Sequence, residues 1–339
     1  MQRLIDIQKN IFPDLLEIMQ QRYDILHHVS LFQPIGRRGL SEHTNLTERI
    51  VRNEVDRLQA QGFIKITNKG MYMTEKGNVT LERLTVFMHE IMGFTHLERQ
   101  LEEKLHVEKV RIVPGNSDED EWVKQEMGKA CIALMQQKIK PGYTIAVTGG
   151  TTMSAVAKVM TPLEKEGKFL FVPARGGVGK KVEHQANTIV AEMAHKTKSD
   201  YRLLYVPDPL SESAYQSVIL EPSVYEPLQQ IKAADMVLHG IGDALTMAKR
   251  RNESEETVEK LRNERASGEA FGYYFNQGGD IVHQVRTVGI QLEDLTSEKY
   301  VIAVAGGKSK AAAIISYFQQ GKSDVFITDQ AAAEQILKD

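Results

Sequence analysis

Cysteine is nearly absent from this sequence. Cys131 is the one cysteine among 339 residues, so the chain forms no intramolecular disulfide and no cysteine-based metal cluster. This cysteine usage fits the reducing cytosol, and we expect Cys131 to be a small buried residue of a helix. Long apolar runs are absent too: none approaches the roughly 18 residues of a membrane span, and the first residues lack the core of a signal peptide. We therefore expect a cytoplasmic location and no membrane contact.

The chain also has little excess of either positive or negative charge. The formal net charge of -3 at pH 7 gives no general attraction to nucleic acid or to a membrane, so any such role requires a local patch. Hydrophobic residues make up 42% and charged residues 26% of the chain, as in an ordinary globular protein. The length is sufficient for two domains.

The common motifs of catalysis and metal binding are missing. We find no nucleophile–base motif, no HExxH site and no triphosphate-binding loop. The acidic run Asp118–Glu121 crowds its carboxylates together without a distant partner, so we expect it to be solvated rather than to bind a metal. We predict no catalytic residue, no metal and no cofactor.

The N-terminal part of the chain has the pattern of a winged helix-turn-helix. Apolar spacing from Leu4 to Ile25 predicts one or two helices, with Pro13 starting the second. Further helices are predicted from Ile25, from Gly39 and from Glu48, and a hairpin over residues 63–74. Gly62 should end the helix that starts near Glu48. In a winged helix-turn-helix, the second helix of the pair enters the DNA major groove.

Polar and basic residues mark the candidate DNA contacts. Arginine can pair with guanine and asparagine with adenine, and both can bind phosphate. A module of this kind could instead make protein contacts only, since its local excess of basic residues is modest. We predict DNA contacts from Thr47, Arg49, Arg52 and Asn53 on the helix and from Lys65 and Lys69 on the wing.

Helical spacing of apolar residues continues through residues 78–106. Gly93 interrupts it, and a charged outer face follows. This stretch suits a linker and dimer helix, and a plain amphipathic surface helix is equally compatible. We therefore predict a DNA-binding domain over residues 1–77, a helical linker over 78–106 and a second domain over 107–339.

From Val107 onward, strand and helix patterns alternate, which predicts an α/β domain with a mostly parallel, doubly wound sheet. Four apolar runs each lead into a glycine loop, and residues 201–206 are predicted to form a further strand. In an open parallel sheet, the loops at the carboxyl ends of the strands gather where ligands bind. The four loops are Thr148–Thr152, Pro173–Gly177, His239–Asp243 and Ala305–Lys310.

The first of these loops has the features of an anion site. Gly149 and Gly150 bring backbone N–H groups close to a ligand, and Thr151 or Thr152 can cap the next helix. The start of that helix attracts anions, although a plain strand–helix turn has the same pattern. Because similar loops recur, we favour a crevice for an anionic metabolite, and a phosphorylated sugar over a nucleotide.

Other polar residues could complete such a crevice. Arg250 and Arg251 could clamp a second phosphate or lie on a solvated face. Glu269, in a predicted flexible loop, could accept sugar hydroxyls, and Gln185 could bond a hydroxyl or cap a helix. The proton-transfer pair His239 and Asp243 is a further possibility.

The motifs, in this order, resemble the SorC/DeoR-type bacterial sugar-responsive repressors. The likeness rests on the helix-turn-helix and on four of the loop motifs together with Gln185-Ala186-Asn187, and it covers essentially the whole chain. It implies a Rossmann-related, sugar-isomerase-like effector domain that binds without catalysing. It also implies a repressor of glycolytic genes on double-stranded operator DNA, a dimer or homotetramer, and fructose 1,6-bisphosphate as the inducer.

The resemblance also assigns residues to this effector. Residues Gly149 to Thr152 would hold one phosphate with Lys310 nearby, and Arg175, Arg250 and Arg251 would serve the remaining anionic groups. Gln185 and Glu269 would contact the sugar or help to order its loop. Lys308 departs from the pattern, which has a small polar residue there.

An alternative reading of the same residues is a sugar-phosphate isomerase with an accessory N-terminal domain. His239, Asp243 or Glu269 would then act as acid and base. Turnover of a ketose phosphate distinguishes an isomerase from a repressor.

Overall fold

A computed structural model describes residues 13–163, 167–177, 181–207 and 210–339. The chain forms two compact units, Met1–His96 and Leu97–Asp339. The helix predicted before Pro13 lies outside the described residues. None of the described helices is long and apolar enough to cross a membrane.

The N-terminal unit is a winged helix-turn-helix, as predicted. Its core contains the fully buried side chains of Ile25, Leu40 and Val55. Its elements are α1 (Pro13–Phe32), α2 (Arg37–Thr44), α3 (Glu48–Ala60), β1 (Ile64–Thr67), β2 (Gly70–Met73) and α4 (Glu75–Ile91). Strands β1 and β2 pair as an antiparallel wing.

Local signals in this unit account for the ends of its helices. The Ile50 N–H donates to Thr47 Oγ1 at 3.4 Å, so Thr47 caps α3. Gly62 follows the end of α3 with φ of 78°, a left-handed conformation that glycine adopts without strain. The predicted start of a separate helix at Ile25 was wrong: α1 runs through it because no glycine or proline interrupts the chain between Pro13 and Phe32.

The stretch predicted as helical over residues 78–106 consists of two helices. They are α4 and α5 (Phe94–Leu105), and Gly93 separates them with φ of 78°. The interruption predicted at Gly93 is therefore confirmed. The domain boundaries at 77 and 106 and the role of this stretch as a dimer helix stay predictions.

The C-terminal unit contains a seven-stranded sheet in which every pair of neighbours is parallel. Its strands are β3 (Lys109–Val113), β4 (Thr144–Val147), β5 (Leu170–Pro173), β6 (Asp200–Tyr201), β7 (Met236–Gly240), β12 (Tyr300–Val304) and β13 (Val325–Asp329). Their spatial order is β3-β13-β12-β7-β4-β5-β6. The predicted Rossmann-related α/β class is confirmed.

Helices and a smaller sheet complete this unit. The helices are α6 (Glu121–Lys138), α7 (Thr151–Val159), α8 (Ala186–Thr197), α9 (Glu212–Val218), α10 (Pro222–Lys232), α11 (Ala244–Arg251), α12 (Glu255–Asn263), α13 (Ala311–Phe318) and α14 (Gln330–Lys338). The strands of the small antiparallel sheet are β8 (Gly242–Asp243), β9 (Ala266–Ala270), β10 (Tyr273–Asn276) and β11 (Ile281–Gln284). Their spatial order is β11-β10-β9-β8.

Strands β4 and β7 are neighbours in the sheet, and the chain adds its later strands in opposite directions from these two. From β4 the chain builds outward to β5 and β6, and from β7 it builds the other way to β12 and β13. At such a switch point the loops on either side diverge and leave a crevice. Cys131 is completely buried on α6 in the core beside this sheet, as predicted.

Two predictions from the sequence were wrong here. The strand predicted over residues 201–206 is limited to β6. Glu269 does not lie in a flexible loop: it belongs to β9, which turns into β10 through Phe271 and Gly272 with φ of 54° and 90°. Two left-handed residues in succession form the tight turn that suits a twisted hairpin.

Candidate functional site

A cavity of about 290 Å³ opens at the carboxyl ends of the strands, at the switch point. All four predicted glycine loops contribute to its wall. Nine of the ten predicted effector residues line it, and Arg251 is the exception. The nine are Gly149, Gly150, Thr151, Thr152, Arg175, Gln185, Arg250, Glu269 and Lys310.

The loop between β4 and α7 forms one wall of the cavity. Gly150, with φ of 119°, occupies the N-cap position of α7, and no side chain caps the helix. The predicted threonine cap was therefore wrong, because the helix begins one residue earlier than that cap requires. The Gly150 N–H donates to the His184 carbonyl at 2.9 Å. A Cβ on Gly149 would lie only 2.7 Å from the same carbonyl, so the loop needs glycine there.

The loop after β12 contributes Ser309 and Lys310. The Ser309 N–H and Oγ both donate to Asp118 at 2.8 Å. Asp118 is exposed, as predicted for the acidic run, and its carboxylate also holds this loop. Burial, together with the nearby Lys124, lowers the pKa of Lys310, so a bound anion would favour its charged form. Lys308 is exposed and does not line the cavity.

The adjacent arginines of α11 point to different places. Arg250 is exposed and lines the cavity. The Arg251 side chain is fully buried and donates to Glu269 Oε1 at 2.6 Å and to the Tyr274 hydroxyl at 2.9 Å. The prediction of a clamp made by both arginines was therefore wrong in its geometry, because successive helical residues lie about 100° apart around the axis.

Glu269 is a buried carboxylate held by several donors. The Gly272 N–H donates to its Oε1 at 2.7 Å, and the Arg175 guanidinium lies 3.6 Å from the same oxygen. Burial raises the pKa of Glu269, but the Arg251 and Arg175 guanidinium groups outweigh it and hold the pKa below its usual value. Glu269 is therefore ionised at neutral pH, and it can accept hydrogen bonds from a hydroxylated ligand.

Gln185 precedes α8 and lines the cavity. Its side chain makes no capping hydrogen bond with α8, so the capping alternative was wrong. The other alternative, contact between Gln185 and a ligand hydroxyl, is compatible with this position and stays a prediction.

His239 and Asp243 do not form a proton-transfer pair. His239 is completely buried; its Nδ1 donates to the Gly240 carbonyl at 3.2 Å, and its Nε2 accepts from Ser323 Oγ at 3.1 Å. Asp243 caps α11 by accepting from the Thr246 N–H at 2.8 Å. Both side chains therefore have structural roles.

His239 makes the stability of this unit depend on pH. Burial lowers the pKa of His239 to about 4, so below its ordinary value of 6.5 the unfolded chain gains a proton that the folded chain does not. We expect the free energy of unfolding to fall between about pH 6.5 and pH 4, by about 3 kcal/mol from this residue. Urea unfolding at pH 7 and pH 5, followed by Trp122 fluorescence, measures the part of this fall above pH 5, which is about 2 kcal/mol.

Two variants separate this effect from general acid sensitivity. In His239→Gln the loss of stability between pH 7 and pH 5 should shrink, whereas His195→Gln, which changes an exposed histidine, should keep it. An unchanged pH dependence in His239→Gln would show that another group is responsible.

The predicted DNA-contact residues form an exposed polar surface on α3 and the wing. Thr47, Arg49, Arg52, Asn53, Lys65 and Lys69 are all exposed. Elsewhere on α3, Glu54 is buried and binds Arg22 at 2.6 Å and Arg57 at 3.0 Å. The charges of α3 are thus divided between the ion pairs around Glu54 and the polar surface that carries the predicted DNA contacts.

Reasoning from the sequence missed Ser309, Thr246 and His184, which also line the cavity. Only Ser309 had a signal, since it lies in a glycine loop beside Lys310. Among the described residues, no group of three histidine, cysteine, aspartate or glutamate side chains could hold a metal.

Comparison with known proteins gives the family. The CggR N-terminal DNA binding domain family matches residues 18–88, and a sugar-binding domain family matches residues 89–338. The chain is 50% identical to the central glycolytic genes regulator of Priestia megaterium, over 100% of this chain and 99% of that relative. The chain belongs to the family of central glycolytic genes regulators. It is also 49% identical to the Bacillus subtilis member, over the full length of both.

Solved structures agree with membership of the central glycolytic genes regulators. A SorC family transcriptional regulator from Enterococcus faecalis matches with a TM-score of 0.68 and 42% identity, over 71% of this chain and 99% of that chain. The full-length sorbitol operon regulator of Klebsiella pneumoniae covers 99% of both chains with a TM-score of 0.65 at 17% identity, which shows a shared fold. The chain is thus a transcriptional regulator with a DNA-binding domain and a sugar-binding domain, and not an enzyme.

Proposed function

We propose that this chain represses glycolytic genes by binding operator DNA, and that fructose 1,6-bisphosphate in the switch-point cavity releases it. The observation that carries the proposal is the composition of the cavity wall. Three cationic side chains, Arg175, Arg250 and Lys310, face it together with an uncapped helix start. A ligand with two anionic groups forms stronger electrostatic interactions with these cations and this helix start than a neutral sugar does.

These groups come from separate elements, so the wall can contact more than one anionic group of a ligand. Lys310 follows β12, Arg175 follows β5, Arg250 belongs to α11, and the start of α7 follows β4. Glu269 supplies an ionised acceptor for sugar hydroxyls. A cavity of about 290 Å³ is at the small end of the range for ligand sites, which suits a hexose bisphosphate and leaves little room for a dinucleotide.

Release from DNA requires the effector to favour one of two states of the protein. We infer that the repressor binds its operator in the cytoplasm as a dimer of dimers, and that the effector weakens the contacts between dimers. Coupling of this kind is typically about 1–3 kcal/mol, and it is reciprocal. Operator DNA therefore weakens effector binding by the same factor by which effector weakens DNA binding.

Three measurements test this function. Fluorescence anisotropy of labelled operator DNA should show weaker binding at saturating fructose 1,6-bisphosphate, and calorimetry should show weaker effector binding to the operator complex by the same factor. Phosphorus NMR of the mixture should show broadened or shifted phosphate signals and no product over several hours. Equal effector affinity with and without operator would contradict the mechanism, and growing product signals would favour an isomerase.

Arg52→Ala tests the DNA surface. Removing one arginine that neutralises a phosphate should lower operator affinity and reduce the slope of log K against log salt by about one unit. The matched control is Arg57→Ala on the same helix, because the Arg57 side chain is also exposed but is paired with Glu54. Equal operator binding by Arg52→Ala and the unmodified protein, at every salt concentration, would mean that α3 does not face the DNA.

A further inference from the structure

Strand β3 lies at one edge of the seven-stranded sheet, and helix α5 satisfies its outward N–H groups. The Val110 N–H donates to Glu102 Oε1 at 2.9 Å, and the Ile112 N–H donates to Glu98 Oε1 at 2.8 Å. The spacings match: four residues of helix rise about 6 Å and two residues of strand about 6.6 Å. The two carboxylates therefore fix the position of α5 along the edge strand.

The other end of β3 leads to the cavity. Asp329 Oδ2 accepts from the Ser117 N–H at 2.8 Å and from the Gly307 N–H at 2.7 Å, so one carboxylate joins the loop after β3 to the loop after β12. Asp118 adds its two hydrogen bonds to Ser309. Gly307 has φ of 100°, and a Cβ there would lie 2.3 Å from Asp118 Oδ1. The two loops are thus packed as one body.

These contacts form a continuous connection. It begins at Ser309 and Lys310 in the cavity wall. Asp118 and Asp329 join that loop to the loop after β3. Strand β3 then leads to Glu98 and Glu102 of α5. Along the chain, α5 directly follows α4 and Gly93, and it carries the chain from the N-terminal unit into the C-terminal unit.

We propose that effector occupancy reaches the DNA-binding unit through this β3 connection, with Asp118 as its cavity end and Glu102 as its helix end. The proposal rests on the proposed function, since it needs an effector that weakens DNA binding. An anion bound at Lys310 displaces a loop that Asp118 and Asp329 hold to β3, and a displaced β3 changes where Glu98 and Glu102 place α5. A closely packed connection transmits such a shift rather than absorbing it.

The test measures a coupling factor, the ratio of operator dissociation constants with saturating and without fructose 1,6-bisphosphate. Glu102→Ala removes the acceptor for the Val110 N–H, and Glu103→Ala is its control, since Glu103 is an exposed glutamate on the same helix. Asp118→Ala removes the acceptor for Ser309, and Asp120→Ala is its control, since the Asp120 side chain is exposed and caps nothing. Each pair changes the same charge.

We expect a coupling factor of about 5- to 150-fold in the unmodified protein. It should fall at least threefold in Glu102→Ala and in Asp118→Ala and should stay unchanged in both controls. Operator affinity without effector should change less than twofold in Glu102→Ala. Glu102→Gln keeps the Oε1 acceptor and should restore the coupling, which a loss of folding would not allow.

The outcomes separate this proposal from the proposed function. Unchanged coupling in both Glu102→Ala and Asp118→Ala, with normal effector and operator binding, overturns the β3 connection and leaves the repressor function standing. Equal loss of coupling in Glu103→Ala or Asp120→Ala also overturns it, because charge alone would then explain the effect. A coupling factor of one in the unmodified protein overturns both.

Discussion

Lys310→Met is expected to weaken the binding of fructose 1,6-bisphosphate by about 10- to 100-fold. A hydrogen bond between a charged donor and a charged acceptor contributes about 1.5–3 kcal/mol, and every 1.4 kcal/mol is tenfold in affinity. Lys310 lines the cavity, and burial already lowers its pKa, so a bound anion would stabilise its charged form. Isothermal titration calorimetry without DNA measures the change directly.

Lys308→Met is the matched control for this prediction. It removes the same charge from the same loop, but Lys308 is exposed and lies outside the cavity wall. Effector affinity should change by less than about threefold, since exposed charges interact weakly through water. If both variants lost affinity equally, only the general positive charge of the loop would matter, and Lys310 would have no specific contact with the ligand.

Arg251→Ala is expected to lower the free energy of unfolding of the C-terminal unit by about 3–5 kcal/mol, the usual cost of breaking a buried ion pair by removing one partner. The Arg251 side chain is fully buried against Glu269 and the Tyr274 hydroxyl. Loss of the Arg251 side chain leaves the buried Glu269 carboxylate with fewer hydrogen-bond donors. Urea unfolding followed by the fluorescence of Trp122, the one tryptophan, measures the change in this unit.

Arg250→Ala should give the opposite result from its neighbour. Arg250 is exposed and has no buried partner to lose, so unfolding should change by less than about 0.5 kcal/mol, while effector affinity should fall about tenfold or more. The two variants therefore distinguish a ligand contact from a structural ion pair. Similar stability losses in both would contradict the division of roles described for α11.

The general arrangement of the C-terminal unit could be predicted from the sequence because its signals are local. Each apolar run that ends in a glycine loop predicts a strand and a loop on the carboxyl edge, whatever the strand order is. Nine of the ten predicted effector residues therefore meet around one cavity. The winged helix-turn-helix was predictable for the same reason, since the Thr47 cap and Gly62 mark the ends of its helix.

The features that were missed depend on contacts between distant parts of the chain. Asp118 and Ser309 are 191 residues apart, and nothing in an acidic run indicates such a partner. Which of Arg250 and Arg251 faces the cavity depends on how α11 packs. The hairpin of β9 and β10 escaped prediction because Ala266–Ala270 contains small residues with little β preference and its turn uses Phe271.

The strand order also has a consequence for newly made protein. The DNA-binding unit is encoded first and has its own core, whereas the cavity lacks a wall until Lys310 has been synthesised. At about 5–20 residues per second, translation reaches Lys310 roughly 10 to 40 s after the ribosome passes His96. During that interval each nascent chain carries the DNA-binding module without a complete sensor. Effector control therefore begins only after the loop that follows β12 has been synthesised.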